Sequence, residues 1–489
     1  MSTGRNTARD LVRILFLLAV VALILAGASA PADGGGNGND NGAVPLLVKS
    51  RVPLTPDVVA AISSHAAQVS FVWPEINALA LKAVPSKMAE LVADPLVELV
   101  EPDLQAQAIS DDTQLPTDLA SPPSVTVPIF SSSGPIRTWN LDMADTEGSG
   151  KDGSGVTVAV VDSGLPQNWA EFLPPDCVDL DHAAGFGPEG VGSYHNPVNA
   201  IRGAGGHIGL FPHGLAVSSV IVGFPSDFGP VGGSAPGAKI LPIRVLNQFN
   251  FGYFSWFTAG ILHVGRLKAD GLITGPLVIN FSIQGGGSSQ ILTDAINYAI
   301  ANHVLFVTIA GNFGPAPGSL SFPGRLPQSI TVGAVGWKGE GSVPGWFFAD
   351  VPENNASQIY VAGFSGRQPS SAPPASLIDV LAPGSYVYGE WLGGPGFSEG
   401  REVAFDAVSN FIFGTSFAAP HVTGIVAQML EKKPGMTQLE AETILRSTAL
   451  PIPPSPAGFT PLSYYAAWGT DATGKGLARG AAAVAEVIP

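Results

Sequence analysis

A single cysteine, Cys177, is all the thiol that 489 residues carry, so no disulfide can close within the chain and stability must come from packing, bound ions or short loops. Basic residues are scarce as well. Lys and Arg number 23 against 39 Asp and Glu, a net charge of −16, which repels polyanions and makes nucleic acid an unexpected partner. Beyond the N-terminus there is no long apolar run, so no later segment offers a membrane span. What is present is length enough for two or three units and a sizeable buried core.

The N-terminus reads as an address. Arg5, Arg9 and Arg13 precede an apolar run from Ile14 to Leu25, and Ala28-Ser29-Ala30 supplies the small residues of a cleavage site, so residues 1–30 are expected to be a signal peptide and the protein to be secreted or extracytoplasmic. Residues 31–43 hold a Gly/Asn tract, "PADGGGNGNDNG", with nothing to bury. Residues 44–104 are denser. There "VVAAISSHAA" and "PSKMAELVADP" have helical spacing, while "ALALKAV" and "VELVEPD" look like strands, which predicts a small α+β unit. Between 105 and 137 Ser, Pro, Thr and Ala dominate without periodicity, as in a linker open to cleavage.

From residue 138 to 489 the pattern changes. "GVTVAVVDSG", "AKILPIRVL", "LVINFSI", "HVLFVTIAGN" and "SITVGAVG" are nearly continuous apolar runs, some separated by helix-length stretches such as "LTDAINYAIAN". Runs of this kind suit an α/β fold whose mainly parallel sheet is covered on both faces. In such sheets ligands meet polar groups at the carboxyl ends of the strands.

Three polar residues stand out against this frame. Asp162 ends the run "VTVAVV", His213 opens the helix-like "HGLAVSSVIVG", and Ser416 precedes "FAAPHVTGIVAQML". Each alone has a plain structural reading: a turn aspartate, a loop histidine, a helix-capping serine. Together they supply what acyl transfer by serine needs: a nucleophile, a base for its proton, and a carboxylate to orient that base.

The order Asp, His, Ser and the local sequences resemble the subtilisin-like serine proteases, or subtilases. "VAVVDSG", "HGLAVSSVIVG" and "GTSFAAPHVTG" are similar to that family's Asp, His and Ser motifs, and "GSAPGAKILPIRVL", "VINFSIQGG", "AGNFG" and "VLAPG" to its linking segments. The resemblance implies a three-layer catalytic domain with Ser416 as nucleophile, His213 as base and then acid, and Asp162 as its orienting group. It implies that Asn312 helps the Ser416 N–H hold the oxyanion. It further implies that Phe251 and Gly252 on one side, and Ser282, Ile283 and Gln284 on the other, bind an extended peptide. "LVADPLVELVEPD" is similar to the end of the family's propeptide, which implies that residues 44–104 act as an intramolecular inhibitor of a self-processed zymogen. The chemistry implied needs no cofactor. Structural calcium is compatible with the family, but no ligand spacing of EF-hand strength is present, and a monomer is expected.

Three departures from the family pattern are visible. Gly-Leu-Ala follows in sequence from His213 where Gly-Thr-His is usual, Phe417 stands where Met is common, and Gln284 replaces a glycine. Gln284 is expected either to narrow the pocket for the residue before the scissile bond or to point to solvent with its backbone alone lining that pocket. Two other functions stay open on the same residues: a catalytically silent binding protein, and a ligase in which an amine accepts the acyl group.

Overall fold

A computed structural model describes residues 42–108, 134–166, 168–187, 190–191, 213–226, 229–247, 250–340, 346–351, 355–373, 376–390, 411–455 and 466–489. The expected signal peptide, most of the Gly/Asn tract and most of the expected linker fall outside these residues. The chain divides into two compact units, Met1–Leu104 and Gln105–Pro489.

In the first unit, strands β1 (Val44–Ser50), β2 (Gln68–Trp73), β3 (Ala78–Ala83) and β4 (Val97–Pro102) form an antiparallel sheet in the order β2-β3-β1-β4. Helices α1 (Pro56–Ser63) and α2 (Pro85–Ala93) each place a proline in the first turn, where its missing N–H costs nothing. Alternation along the strands sends Leu46, Val48, Leu79 and Leu81 to the face where Ile62, Met88 and Leu91 of the helices are buried. The two helical and two strand segments legible in the sequence are these elements. β1 and β2 were not.

The second unit is built on a nine-stranded sheet. Its parallel centre comprises β6 (Thr157–Asp162), β7 (Ala184–Gly187), β11 (Lys239–Arg244), β13 (Leu277–Phe281), β14 (Val304–Ile309), β15 (Ile330–Trp337) and β17 (Val380–Pro383). β8 (Gly190–Val191) and β16 (Ile359–Val361) add antiparallel edges. β6, β11, β13, β14 and β15 read as nearly unbroken apolar runs because each is covered twice. On one face Val158, Val160, Val278, Leu305 and Val307 pack with helices α4 (His213–Val222) and α7 (Thr415–Lys432). Phe281, on the other, meets Phe257 of helix α5 (Phe254–Ala269) at 5.6 Å between ring centres. Cys177 is buried in the first of these layers, and burial pushes its thiol up to about 11, so it is an inert core residue.

Strand order explains where a site can form. In the sheet, β11, β7 and β8 lie on one side of β6 and β13, β14 and β15 on the other. A crevice therefore opens at the carboxyl ends of β6 and β13, where the two halves of the sheet diverge.

The stretch read as a linker is ordered at both its ends. Gln105–Gln107 forms strand β5, antiparallel to β12 (Phe251–Tyr253), and Ile136 bridges to Val231. No periodicity announced either, because so short a strand is held by its partner's backbone groups rather than by an apolar face.

Candidate active site

β6 delivers Asp162 to the crevice, fully buried. Its Oδ1 accepts the N–H of Ser163 at 2.6 Å, and both carboxyl oxygens lie 2.9 Å from Nδ1 of His213. His213 is the first residue of α4. The turn is held from below by Ser163 Oγ, which accepts the N–H of Gly214 at 2.9 Å. A Cβ on Gly214 would come within 2.6 Å of the Gly164 carbonyl, so the close approach of these two segments requires glycine there. With Nδ1 donating to the carboxylate, the remaining lone pair is on Nε2. That atom is buried and has no hydrogen-bond partner among the described residues.

Ser416 sits in the first turn of α7, after Gly414 at φ 134, a conformation that admits glycine and few others. Its backbone N–H is therefore among the helix-start donors. Phe417, the next residue, lies with its ring 5.4 Å from the imidazole of His213, so the helix turn that carries Ser416 packs against His213. The Ser416 hydroxyl is turned to the Ser282 carbonyl at 3.2 Å.

A proline within α7 shapes this corner. Pro420 has no N–H to give to the carbonyl four residues earlier, which is that of Ser416. Ser282 Oγ donates to it instead, at 2.9 Å. Ser282 Oγ in turn accepts from Asn280 Nδ2 at 2.8 Å, and Asn280 Oδ1 accepts from Thr423 Oγ1 at 2.9 Å. The histidine of the serine motif, His421, is spent on structure: it bonds the Phe417 carbonyl and Asn140, and burial pushes it down to about 4, so it is neutral near pH 7.

Asn312 follows the end of β14. Its Oδ1 accepts both the N–H and the hydroxyl of Thr415, at 2.9 and 2.8 Å. Because the carbonyl oxygen is fixed by these donors, Nδ2 is turned the other way. Thr415 escaped the sequence reading; the signal was its place beside Ser416, on the same helix turn.

The residues expected to bind a peptide form two rails. Phe251 and Gly252 pair with Gln107 and Ala106, while Gln107 exchanges both backbone hydrogen bonds with Gln284, at 3.1 and 3.0 Å. Residues 105–107 thus lie as the middle strand between β12 and Gln284, and the Ala108 N–H reaches the Asn250 carbonyl at 3.1 Å. Ser282 and Ile283, both buried, continue the second rail toward Ser416. The side chain of Gln284 does not point to solvent. It is 1 % exposed, because its Oε1 accepts the backbone N–H of Asn312 at 2.6 Å.

Comparison with known proteins matches residues 153–480 to the family described as "Subtilase family". The chain is a subtilase. It is 28 % identical over 342 residues to a subtilisin of Bacillus sp. (strain TA39), covering 69 % of either chain. Among solved structures it resembles fervidolysin from Fervidobacterium pennivorans, described as a keratinolytic enzyme related to subtilisin, with a TM-score of 0.60 at 22 % identity, 91 % of this chain and 61 % of that one being covered. Sphericase gives a TM-score of 0.51 at 26 % identity, with 71 % of this subtilase and 99 % of the sphericase chain covered. Membership makes the protein a serine endopeptidase with an α/β fold. No three His, Cys, Asp or Glu side chains gather to hold a metal ion among the described residues, and no residue of this subtilase is assigned to calcium. Among the same residues no helix is long and apolar enough to cross a membrane.

Proposed function

We propose that the protein is a secreted endopeptidase, made as a zymogen, that cuts peptide bonds through an acyl-enzyme on Ser416. The observation that carries this reading is the His213 imidazole, anchored through Nδ1 to Asp162, with an unpartnered, buried Nε2 and its ring packed against Phe417, the residue next to Ser416. A rotation of the Ser416 hydroxyl from the Ser282 carbonyl to Nε2 completes the relay. His213 takes the hydroxyl proton as Oγ attacks the substrate carbonyl, and Asp162 stabilises the imidazolium without taking its proton. The tetrahedral oxyanion is held by the Ser416 N–H and Asn312 Nδ2. His213 then gives the proton to the leaving amine, and water releases the acyl group by the same steps.

The substrate binds as an extended strand between Phe251-Gly252 and Ser282-Ile283-Gln284. Such a strand is read chiefly through its backbone, with side-chain pockets adding selectivity. Residues 105–108 occupy this channel in the manner of a substrate, which supports the reading of residues 44–104 as a propeptide whose tail fills the cleft. Register bounds the cleavage point. Gln107 is opposite Gln284, and the second rail runs from Gln284 to Ser282, whose carbonyl holds the nucleophile. The bond cut in maturation then lies beyond Ala108, outside the described residues. The unpartnered Nε2 and the intact set of Asp162, His213, Ser416 and Asn312 favour hydrolysis over a silent binding role.

Expression of the wild-type precursor and of Ser416→Ala in a host lacking competing proteases tests both parts. The wild type should mature to an N-terminus beyond Ala108 and the variant should remain full length after signal removal. A variant that matures normally would show that another enzyme makes the cut.

A further inference from the structure

Gln284 is the departure from the family pattern that the structure puts to use. Its backbone belongs to the substrate rail, but its side chain crosses to the turn after β14 and accepts the Asn312 N–H at 2.6 Å. A backbone N–H only donates, so the atom receiving it is the carboxamide oxygen and the NH2 group must face away. That Nε2 is buried with no hydrogen-bond partner among the described residues, a cost in stability that a glycine would not incur. The turn itself is tight. Gly311 adopts φ +88, and a Cβ there would stand 2.5 Å from Ser321 Oγ and 3.1 Å from Gln284 Oε1.

Asn312 is consequently gripped at two points. Thr415 holds its side-chain oxygen and Gln284 holds its main chain. With both ends fixed, the direction of Nδ2 is set before substrate arrives, which is the condition under which a donor stabilises a developing oxyanion most.

We propose that Gln284 is a positioning residue for the transition state: its side-chain oxygen fixes the backbone of Asn312 and so aims the Asn312 amide. This rests on the oxyanion role given to Asn312 above. Substitutions of the Gln284 side chain leave its backbone contacts to the peptide in place, so the effect belongs in kcat rather than KM.

The test is a double-mutant cycle on the mature enzyme with a short peptide amide, folded concentration being fixed by near-ultraviolet circular dichroism. Gln284→Leu keeps the bulk and removes the acceptor; it should lower kcat about tenfold with KM nearly constant. Gln284→Glu keeps an oxygen for the Asn312 N–H and should recover most of the loss. In an Asn312→Leu background, Gln284→Leu should change kcat no further. An unaltered kcat in folded Gln284→Leu, a rise in KM alone, or an equal loss in both backgrounds would each overturn the proposal. If Asn312→Leu itself leaves kcat unchanged, the oxyanion reading fails, and this proposal fails with it for that separate reason.

Discussion

Replacing Ser282 by alanine tests the physical account of the corner that holds Ser416. The hydroxyl of Ser282 donates to the Ser416 carbonyl and accepts from Asn280 Nδ2, and all three residues are fully buried. Its removal strands one buried acceptor and one buried donor, each worth about 1–3 kcal/mol when left unpaired. The expected destabilisation is therefore about 2–6 kcal/mol, far above that of an ordinary serine-to-alanine change. Pro420 sharpens the test, since it is the reason the Ser416 carbonyl has no helical donor. Pro420→Ala restores that N–H, so it should recover about 1–2 kcal/mol in the Ser282→Ala background. In the native background, where the carbonyl is already satisfied, the same change should do measurably less for stability. Equilibrium urea unfolding followed by tryptophan fluorescence would measure both, with every chain also carrying Ser416→Ala to prevent self-digestion. A Ser282→Ala cost below about 1 kcal/mol, or an identical effect of Pro420→Ala in the two backgrounds, would refute the reasoning.

Three further outcomes are expected. Asn312→Leu should lower kcat about 10²- to 10³-fold with little change in KM, a magnitude that belongs to the corresponding donor of subtilisin and is carried over to this member of its family; steady-state kinetics on a peptide amide would check it. Asp162→Asn should keep the fold but cut kcat by about 10⁴-fold by leaving His213 in the wrong tautomer, again a figure from a serine protease of the same chemistry, and a variant within tenfold of wild type would remove Asp162 from the mechanism. The third concerns stability and pH. Burial pushes Glu340 up to about 8, so between the ordinary carboxyl value of about 4.3 and that point the folded chain holds a proton the unfolded chain has lost. Its contribution to stability is present below this window and is lost as pH rises through it, by at most about 1.4 kcal/mol per pH unit. Glu340→Gln, whose oxygen can still accept the Trp337 N–H while its NH2 donates to the Tyr360 hydroxyl oxygen, should flatten that decline in thermal unfolding.

The parts of this molecule that the sequence announced are those governed by burial on two faces. β6, β11, β13, β14 and β15 appear as continuous apolar runs because each is sandwiched between helices, and Asp162 and Asn312 lie just where such runs end. What stayed hidden depends on pairing across distance. β5 and β12 are three residues each, too short for periodicity, and exist through one another's backbone groups. The clamp of Thr415 on Asn312 and the route of Gln284 into the interior join positions 103 and 28 residues apart, with no local pattern to mark them. Pro420 lies between these cases. A proline four residues after Ser416 in a helical run does signal a carbonyl in need of a donor, but only the folded chain names Ser282 as the one supplying it.

In the proposed mechanism one serine, activated by one histidine, does the chemistry. Treating the mature enzyme with a fluorophosphonate, an electrophile that phosphonylates activated serine hydroxyls, and mapping the product by mass spectrometry tests it most directly. One adduct per chain is expected, on the peptide containing Ser416, formed in step with loss of proteolysis and slowed sharply in His213→Ala. An adduct on a different serine that tracks the loss of activity, or full proteolysis by a protein quantitatively modified at Ser416, would contradict it.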